Sequence, residues 1–258
     1  MSMRIYSTGS LTRGVLSPLD QVRLFERKYD PGSIAILQTL PLRREWRCLD
    51  IGAGAGSMSR WLAERVVQGN VVAVDLDTQH LAAAPNVTVQ RADITQAAFE
   101  HASFDLVFAR AAFGHLREPE TTLRRAWNWL RPGGWMVVED SYHLPPEHAP
   151  TEAGRILLAA YLRVLAEQGA DLAWGRKLPR ALARIGCIDV DARITPAGPG
   201  QSPADDDLIG LRLRQEGHRI VESGLVTSEQ LAEFLAHLGS PLGRDLSVLM
   251  VSAWGRHS

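Results

Sequence analysis

The segment Leu49-Asp50-Ile51-Gly52-Ala53-Gly54-Ala55-Gly56-Ser57 runs from an apolar stretch carrying an acid, through glycine at every second position, into a helical pattern. Glycine lacks a Cβ, so such a turn can take positive φ and lie flat against a ligand. The helix that follows aims unpaired backbone N–H groups at the same place. A chain built this way needs a sheet edge behind the turn and a ligand in front of it.

The flanking sequence supplies the sheet. Residues 46–51 read as strand and 57–67 as helix, with Met58, Trp61, Leu62 and Val66 at helical spacing. Strand is expected at 70–75, a short helix at 79–84, and strands at 87–91 and 104–109. A helix over 119–130 has proline at its start and Pro132-Gly133-Gly134 beyond its end, and strand 135–139 follows. Strands alternating with helices imply parallel pairing through right-handed crossovers.

Upstream, residues 18–29 form a helical pattern with Leu19, Val22, Phe25 and Tyr29 on one face. Pro31-Gly32 is expected to break it before a second short helix at 33–40. Downstream, helices are expected at 152–168 and 178–185, a strand at 188–194, a Pro/Gly-rich loop at 195–203, helices at 205–221 and 228–238, and a closing strand at 247–254. Thr227 and Gln230 suggest a capping box. The expected organisation is an N-terminal helical cap over residues 1–45 and a core over 46–258, with helical cap insertions at about 141–180 and 195–244.

Composition narrows the function classes. A net charge of -1 without a broad basic patch argues against nucleic acid. Cys48 and Cys187 each sit in an apolar segment and match neither a disulfide framework nor a metal site, so no metal is expected. A reducing, cytoplasmic setting follows from that usage. No apolar run reaches the roughly 20 residues of a membrane span, and residues 1–15 lack a signal core. The expected partner is a small molecule, and the chain is a monomer or a homodimer.

The glycine spacing fits two cofactor classes. Dinucleotide enzymes want a small third residue, and Ser57 stands there. Asp75, 19 residues after Gly56, closes the second strand where a carboxylate can accept both hydroxyls of a ribose, and Leu76 can pack on a purine. Asp93, 18 residues further, can accept from an exocyclic amine or cap a helix. His115 follows the fourth strand, and Tyr142 and His143 the fifth, at the carboxyl edge where open α/β sheets bind ligands. Each reads as a base, a substrate contact or an ordinary polar residue. Glu139 and Asp140 close the fifth strand, either for a cationic substrate or for a local cap.

In order and spacing, the glycine turn, Asp75, Asp93, Phe104-Asp105-Leu106-Val107 and Leu130-Arg131-Pro132-Gly133-Gly134 resemble the class I S-adenosylmethionine-dependent methyltransferases. Residues 46–140 carry the resemblance; Trp174-Gly175-Arg176 and Ala253-Trp254-Gly255-Arg256 are looser matches to bacterial members acting on small molecules. It implies an α/β, Rossmann-like doubly wound sheet of about seven strands. That sheet is mostly parallel, with an antiparallel last strand inserted between strands five and six, under a helical cap.

It also implies S-adenosyl-L-methionine as cofactor. Gly52, Ala53, Gly54 and Gly56 would hold its methionine end, with Asp50 orienting the turn or receiving the amino group. Asp75 and Leu76 would take the ribose, Asp93 and Ile94 the adenine, and the backbone at Arg110 would pass the sulfonium; Tyr29 is grouped with them. His115 is the candidate base, with His143, Tyr142, Phe113 and Trp174 as candidate acceptor contacts. The implied activity is methyl transfer to an oxygen, nitrogen or carbon of a small molecule, as in secondary metabolism. The alternative is a protein of the same fold that binds the cofactor without transferring methyl, as a binding module or a catalyst of another reaction. A nucleic-acid enzyme is disfavoured because Arg110-Ala111-Ala112-Phe113 stands where an Asn/Asp-Pro-Pro-Tyr motif would sit. A nicotinamide reductase fits the glycine turn alone.

Overall fold

Strand β4 (Phe104–Arg110) is buried at every position, which requires cover on both faces. It lies at the centre of a seven-stranded sheet. β1 (Arg47–Ile51) pairs in parallel with β4 and with β2 (Asn70–Asp75), and β2 pairs in parallel with β3 (Val87–Arg91). On the other side, β4 pairs in parallel with β5 (Leu130–His143). The last strand, β7 (Val248–His257), is antiparallel both to β5 and to β6 (Cys187–Ala197). The order is β3-β2-β1-β4-β5-β7-β6, with the closing strand inserted where the sequence resemblance puts it. The computed structural model describes residues 18–82, 84–222 and 224–258; the start of the expected N-terminal cap, residues 1–17, lies outside them.

Two apolar layers cover the faces. Helices α3 (Pro119–Trp129) and α5 (Trp174–Ile185) bury Leu123, Trp127, Trp174, Leu178 and Leu182 on one. α2 (Ser57–Ala63) and the end of α1 (Pro18–Leu37) bury Leu62, Ile36 and Leu37 on the other. Beyond the carboxyl ends of the strands, α4 (Glu152–Glu167), α6 (Pro203–Glu222) and α7 (Ser228–His237) pack together around Leu157, Leu213 and Ile220. α1 joins α6 through Leu24, Tyr29, Leu208 and Leu211, against Met250 of β7. Among the described residues, no helix is long and apolar enough to cross a membrane.

Local departures from the sequence expectations have local causes. Pro31 does not break α1, which is continuous from Pro18 to Leu37. The proline removes one rung of the ladder, but Ile36 and Leu37 are fully buried beyond it, and tertiary burial outweighs the local penalty. Where a helix is expected to begin at residue 79, Gln79 and His80 form a turn and residues 81 and 82 are irregular. The Asp77 carboxylate accepts from the Gln79 N–H at 3.1 Å, an Asx-type turn, and Pro85 disfavours helical backbone at Ala84. Ala84 bridges Val87 instead. α2 stops at Ala63, short of residue 67, and α5 starts four residues early and carries Pro179 inside. β5 begins at Leu130, running through the Pro-Gly-Gly segment with a register shift against β4. The capping box at Thr227 and Gln230 is present.

Candidate functional site

The glycine turn caps β1 in left-handed backbone, with φ of 73°, 59° and 82° at Gly52, Gly54 and Gly56. The Gly52 and Ala53 amides both donate to the Val74 carbonyl, at 2.9 and 3.1 Å. The Gly54 amide donates to Asp75 Oδ2 at 2.9 Å, so the tip of β2 and the turn are one unit. Asp75 Oδ1 accepts from the Asp77 amide at 3.0 Å. Burial raises the Asp75 pKa, and these amides oppose the shift. The turn is also closed from above: a Cβ at Gly54 would lie 3.2 Å from Val22 Cγ1 of α1.

α1 is fastened to this turn by charge. Glu26 accepts from the Ser57 amide at 3.1 Å, satisfying the first turn of α2, and Asp30 accepts from Ser57 Oγ at 3.0 Å. Asp30 also pairs with Arg110 at 2.7 Å. Arg110 donates to Ser33 Oγ at 2.9 Å, and Ser33 Oγ in turn donates to Glu139 at the centre of the sheet.

These elements enclose a cavity of about 160 Å³ at the carboxyl edge of β1, β2 and β4. Gly52, Gly54, Asp75, Leu76, Asp93 and Ile94 line it, together with Arg110 and His115, and Gln21, Val22 and Phe25 of α1 face them. Asp93 starts a turn and caps no helix: Oδ1 accepts from the Thr95 amide and hydroxyl at 2.9 and 2.7 Å, and the residue lines the cavity. Ala111, the residue after β4, sits at φ 50° on the cavity wall; strained non-glycine backbone of this kind clusters at functional sites.

Other expected cofactor residues lie outside this cavity. Asp50 is buried behind the turn, where it accepts from Ser59 Oγ at 2.5 Å; burial pushes its pKa up to about 6 against that bond and the Arg110 charge. Ala53 is core, packed on the α1–α2 side of the sheet. Gly56 shapes the turn, where a Cβ would meet Leu81 at 2.8 Å. Tyr29 faces two neighbouring chambers instead, and burial raises its phenol to about 12.

The first of those chambers opens beyond His115. Its walls include Phe25, Tyr29, Ala111, His143, Tyr161 and Arg212. Burial, reinforced by the Arg212 charge, lowers both His115 and His143 to about 4, so each imidazole is neutral at pH 7. Arg212 Nη1 donates to the Tyr161 hydroxyl at 3.2 Å. The second chamber, about 100 Å³ between α4, α6 and α7, is walled chiefly by Leu157, Leu158, Leu208, Leu213 and Phe234. Three expected acceptor contacts reach none of these cavities: Phe113 and Trp174 are core at 0% and 1% exposure, and Tyr142 lies under the Arg176 guanidinium. Arg212, unforeseen from the sequence, lines all three.

An open α/β sheet of this order, with a glycine turn after β1 and acids after β2 and β3 around one cavity, defines a Rossmann-like cofactor-binding fold. Residues 49–138 match the family described as methyltransferase domain. Trans-aconitate 2-methyltransferase of Deinococcus radiodurans is 30% identical over 125 residues, covering 46% of this chain and 47% of that protein. Methyltransferase str2 of Strobilurus tenacellus is 26% identical over 185 residues, covering 68% of this chain and 66% of its own length. The matched stretch thus spans less than two thirds of either relative. A phosphoethanolamine N-methyltransferase 2 from Haemonchus contortus, in complex with phosphomonomethylethanolamine and S-adenosylhomocysteine, superposes with a TM-score of 0.61 at 18% identity. That alignment covers 93% of this chain and 58% of the other, and shows a shared fold. Residues 49–138 are thus similar to a methyltransferase domain, on a sheet whose fold a solved methyltransferase shares.

Proposed function

We propose that this chain transfers a methyl group from S-adenosylmethionine to a small-molecule acceptor of the kind handled in secondary metabolism. The observation that carries the reading is the single cavity in which the Gly52–Gly54 backbone, Asp75 and Asp93 converge. Similarity to a trans-aconitate methyltransferase supports the small-molecule class.

The residues present fit the cofactor. Gly52 and Gly54 line the cavity and would hold the methionine end, Ala53 and Gly56 set the turn, and Asp50 holds α2 to it through Ser59. Asp75, backed by the Gly54 amide, takes the ribose hydroxyls beside Leu76. Asp93, beside Ile94, would accept from the adenine amine, and the Arg110–Ala111 backbone would border the sulfonium. The cofactor supplies a methyl group already activated on a sulfonium. The protein's task is then to align the acceptor and exclude water. His115 and Ala111 stand between the cofactor cavity and the next chamber, so His115 orients the nucleophile. α1 and the α4–α6–α7 helices act as the cap.

Calorimetry tests the cofactor: S-adenosylhomocysteine binds and NADH does not. Labelled methyl transfer across a metabolite panel then separates an enzyme from a cofactor-binding module. Hydrogen exchange tests the cap, since added S-adenosylhomocysteine should protect residues 18–40 as well as the glycine turn. Protection confined to 50–110 would remove α1 from the cap.

A further inference from the structure

Helices α4, α6 and α7 meet around a chamber of about 100 Å³. Leu157 and Leu158 of α4, Leu208 and Leu213 of α6 and Phe234 of α7 form most of its wall. Protein interiors pack like organic crystals, and few of their voids exceed a water molecule. Leucines that face empty space forfeit their contacts, and water finds few partners among them. A void of this order is therefore shaped for a guest; a cavity of about 150 Å³ takes a benzene ring. Among the described residues, only Arg212 lines both this chamber and the cofactor cavity.

The charges on this wall favour a neutral guest. Asp205, Asp245 and Arg212 all line the chamber, so a carboxylate meets two carboxylates and an ammonium meets a guanidinium. All three are engaged within the protein. Asp205 pairs with Lys28 at 2.6 Å, Asp245 accepts from the Leu246 amide at 2.7 Å, and Arg212 donates to the Tyr161 hydroxyl at 3.2 Å. His143 differs. Its ring lines the chamber, and its Nδ1 is buried with no hydrogen-bond partner among the described residues. Burial and the Arg212 charge keep this imidazole neutral at pH 7. A neutral imidazole has one donor and one acceptor nitrogen, and a hydroxyl, which both donates and accepts, matches it in either tautomer.

We propose that this chamber binds a small neutral alcohol or phenol, its apolar body of about benzene size lodged among Leu157, Leu208 and Leu213 and its hydroxyl on the His143 ring. Asp75 and Asp93 line the other cavity, so the site does not depend on the methyl-transfer reading.

The test is a ligand-observed NMR titration of the full chain with four probes of one shape: benzyl alcohol, toluene, benzoate and benzylamine. Benzyl alcohol should bind with a Kd on the order of 0.1–1 mM. Toluene, which lacks the hydroxyl, should bind about three- to tenfold more weakly, and the two charged probes at least about tenfold more weakly. His143→Phe keeps a ring and removes its nitrogens. It should bring benzyl alcohol down to the affinity of toluene and leave toluene within about threefold. Leu158→Trp, at a half-buried position, fills the chamber and should weaken every probe by at least about tenfold, while the Kd for S-adenosylhomocysteine moves by less than about threefold. Absence of benzyl alcohol binding by the folded protein would overturn the proposal. So would benzoate or benzylamine binding as tightly as the alcohol, full binding by Leu158→Trp, or an unchanged ratio of alcohol to toluene in His143→Phe. Titrations with and without S-adenosylhomocysteine keep the two readings apart: a chain that takes the alcohol in this pattern but not S-adenosylhomocysteine would support this site and sink the cofactor reading.

Discussion

Asp30 Oδ1 and Arg110 Nη2 stand 2.7 Å apart, and this pair ties the N-terminal helix to the carboxyl end of the central strand. The Arg110 side chain is 7% exposed, and Asp30 is the carboxylate it contacts directly, with Glu139 and Asp50 also feeling its charge. Removing one partner of a buried pair leaves the other uncompensated. Asp30→Ala should cost about 2–4 kcal/mol in urea unfolding, and Asp30→Asn, which keeps an acceptor, about half of that. Because Asp30 also holds Ser57 Oγ, both variants should weaken S-adenosylhomocysteine binding. A loss under about 0.5 kcal/mol for the alanine variant would mean the latch is ornamental to stability.

The sheet was legible because strand patterns and turn chemistry agree at each step from Leu49 to Glu139. The glycine turn, Asp75 and Asp93 reach one cavity because they end successive parallel strands, so linear order maps onto one edge. What failed depended on packing. Pro31 reads as a breaker, yet Ile36 and Leu37 carry the helix through it. Phe113 and Trp174 read as candidate acceptor contacts, yet both are core, because an aromatic residue near a site and one under it have the same local pattern. Arg212 had one usable signal. It lies four residues after Leu208 and three after Ile209, so helical spacing puts a cation next to two apolar positions. Its convergence with His143 depends on β5 and α6, distant in sequence, and no local pattern carries that.

Asp75 carries the ribose assignment. Asp75→Ala should weaken S-adenosylhomocysteine binding by about ten- to a hundredfold, the worth of one or two hydrogen bonds to a charged acceptor. It also strands the Gly54 amide, so the turn should loosen. Asp75→Asn retains the shape and should lose less. Calorimetry on folded variants decides it; an unchanged Kd for the alanine variant refutes the role.

Gly54 should tolerate nothing larger. Its φ of 59° strains any side chain, and the added Cβ would press on Val22 at 3.2 Å. Gly54→Ala should cost about 1–3 kcal/mol in unfolding. Gly54→Val should in addition abolish detectable cofactor binding. A folded valine variant that binds normally would show that the turn is not where the methionine end lies.

Stability against pH should reveal two opposed sets of buried groups. Burial raises Asp50 and Asp140 to about 6, despite the Ser59 hydroxyl at the first and the Gly114 and Ser141 amides at the second. Their unfolded values lie near 4, so between about pH 4 and 6 the folded chain binds the extra protons, and stability from these groups falls as pH rises. His115 and His143 do the reverse. Their folded values are about 4, so the stability they contribute is complete above about pH 6.5 and is lost as pH falls toward 4. Burial raises Asp75 and Glu139 as well, which adds to the falling side, so the wild-type curve mixes opposed slopes and single variants should unmask them. Asp50→Asn keeps an acceptor for Ser59 and removes one falling contribution. Relative to wild type it should gain stability from pH 4 to 6, reaching about 3 kcal/mol at neutral pH. His143→Gln should tilt the curve the other way, with stability falling as pH rises. Urea unfolding at half-unit pH steps reads both slopes. Curves for Asp50→Asn and wild type that run parallel from pH 4 to 7 would mean that Asp50 titrates alike in the folded and unfolded chains.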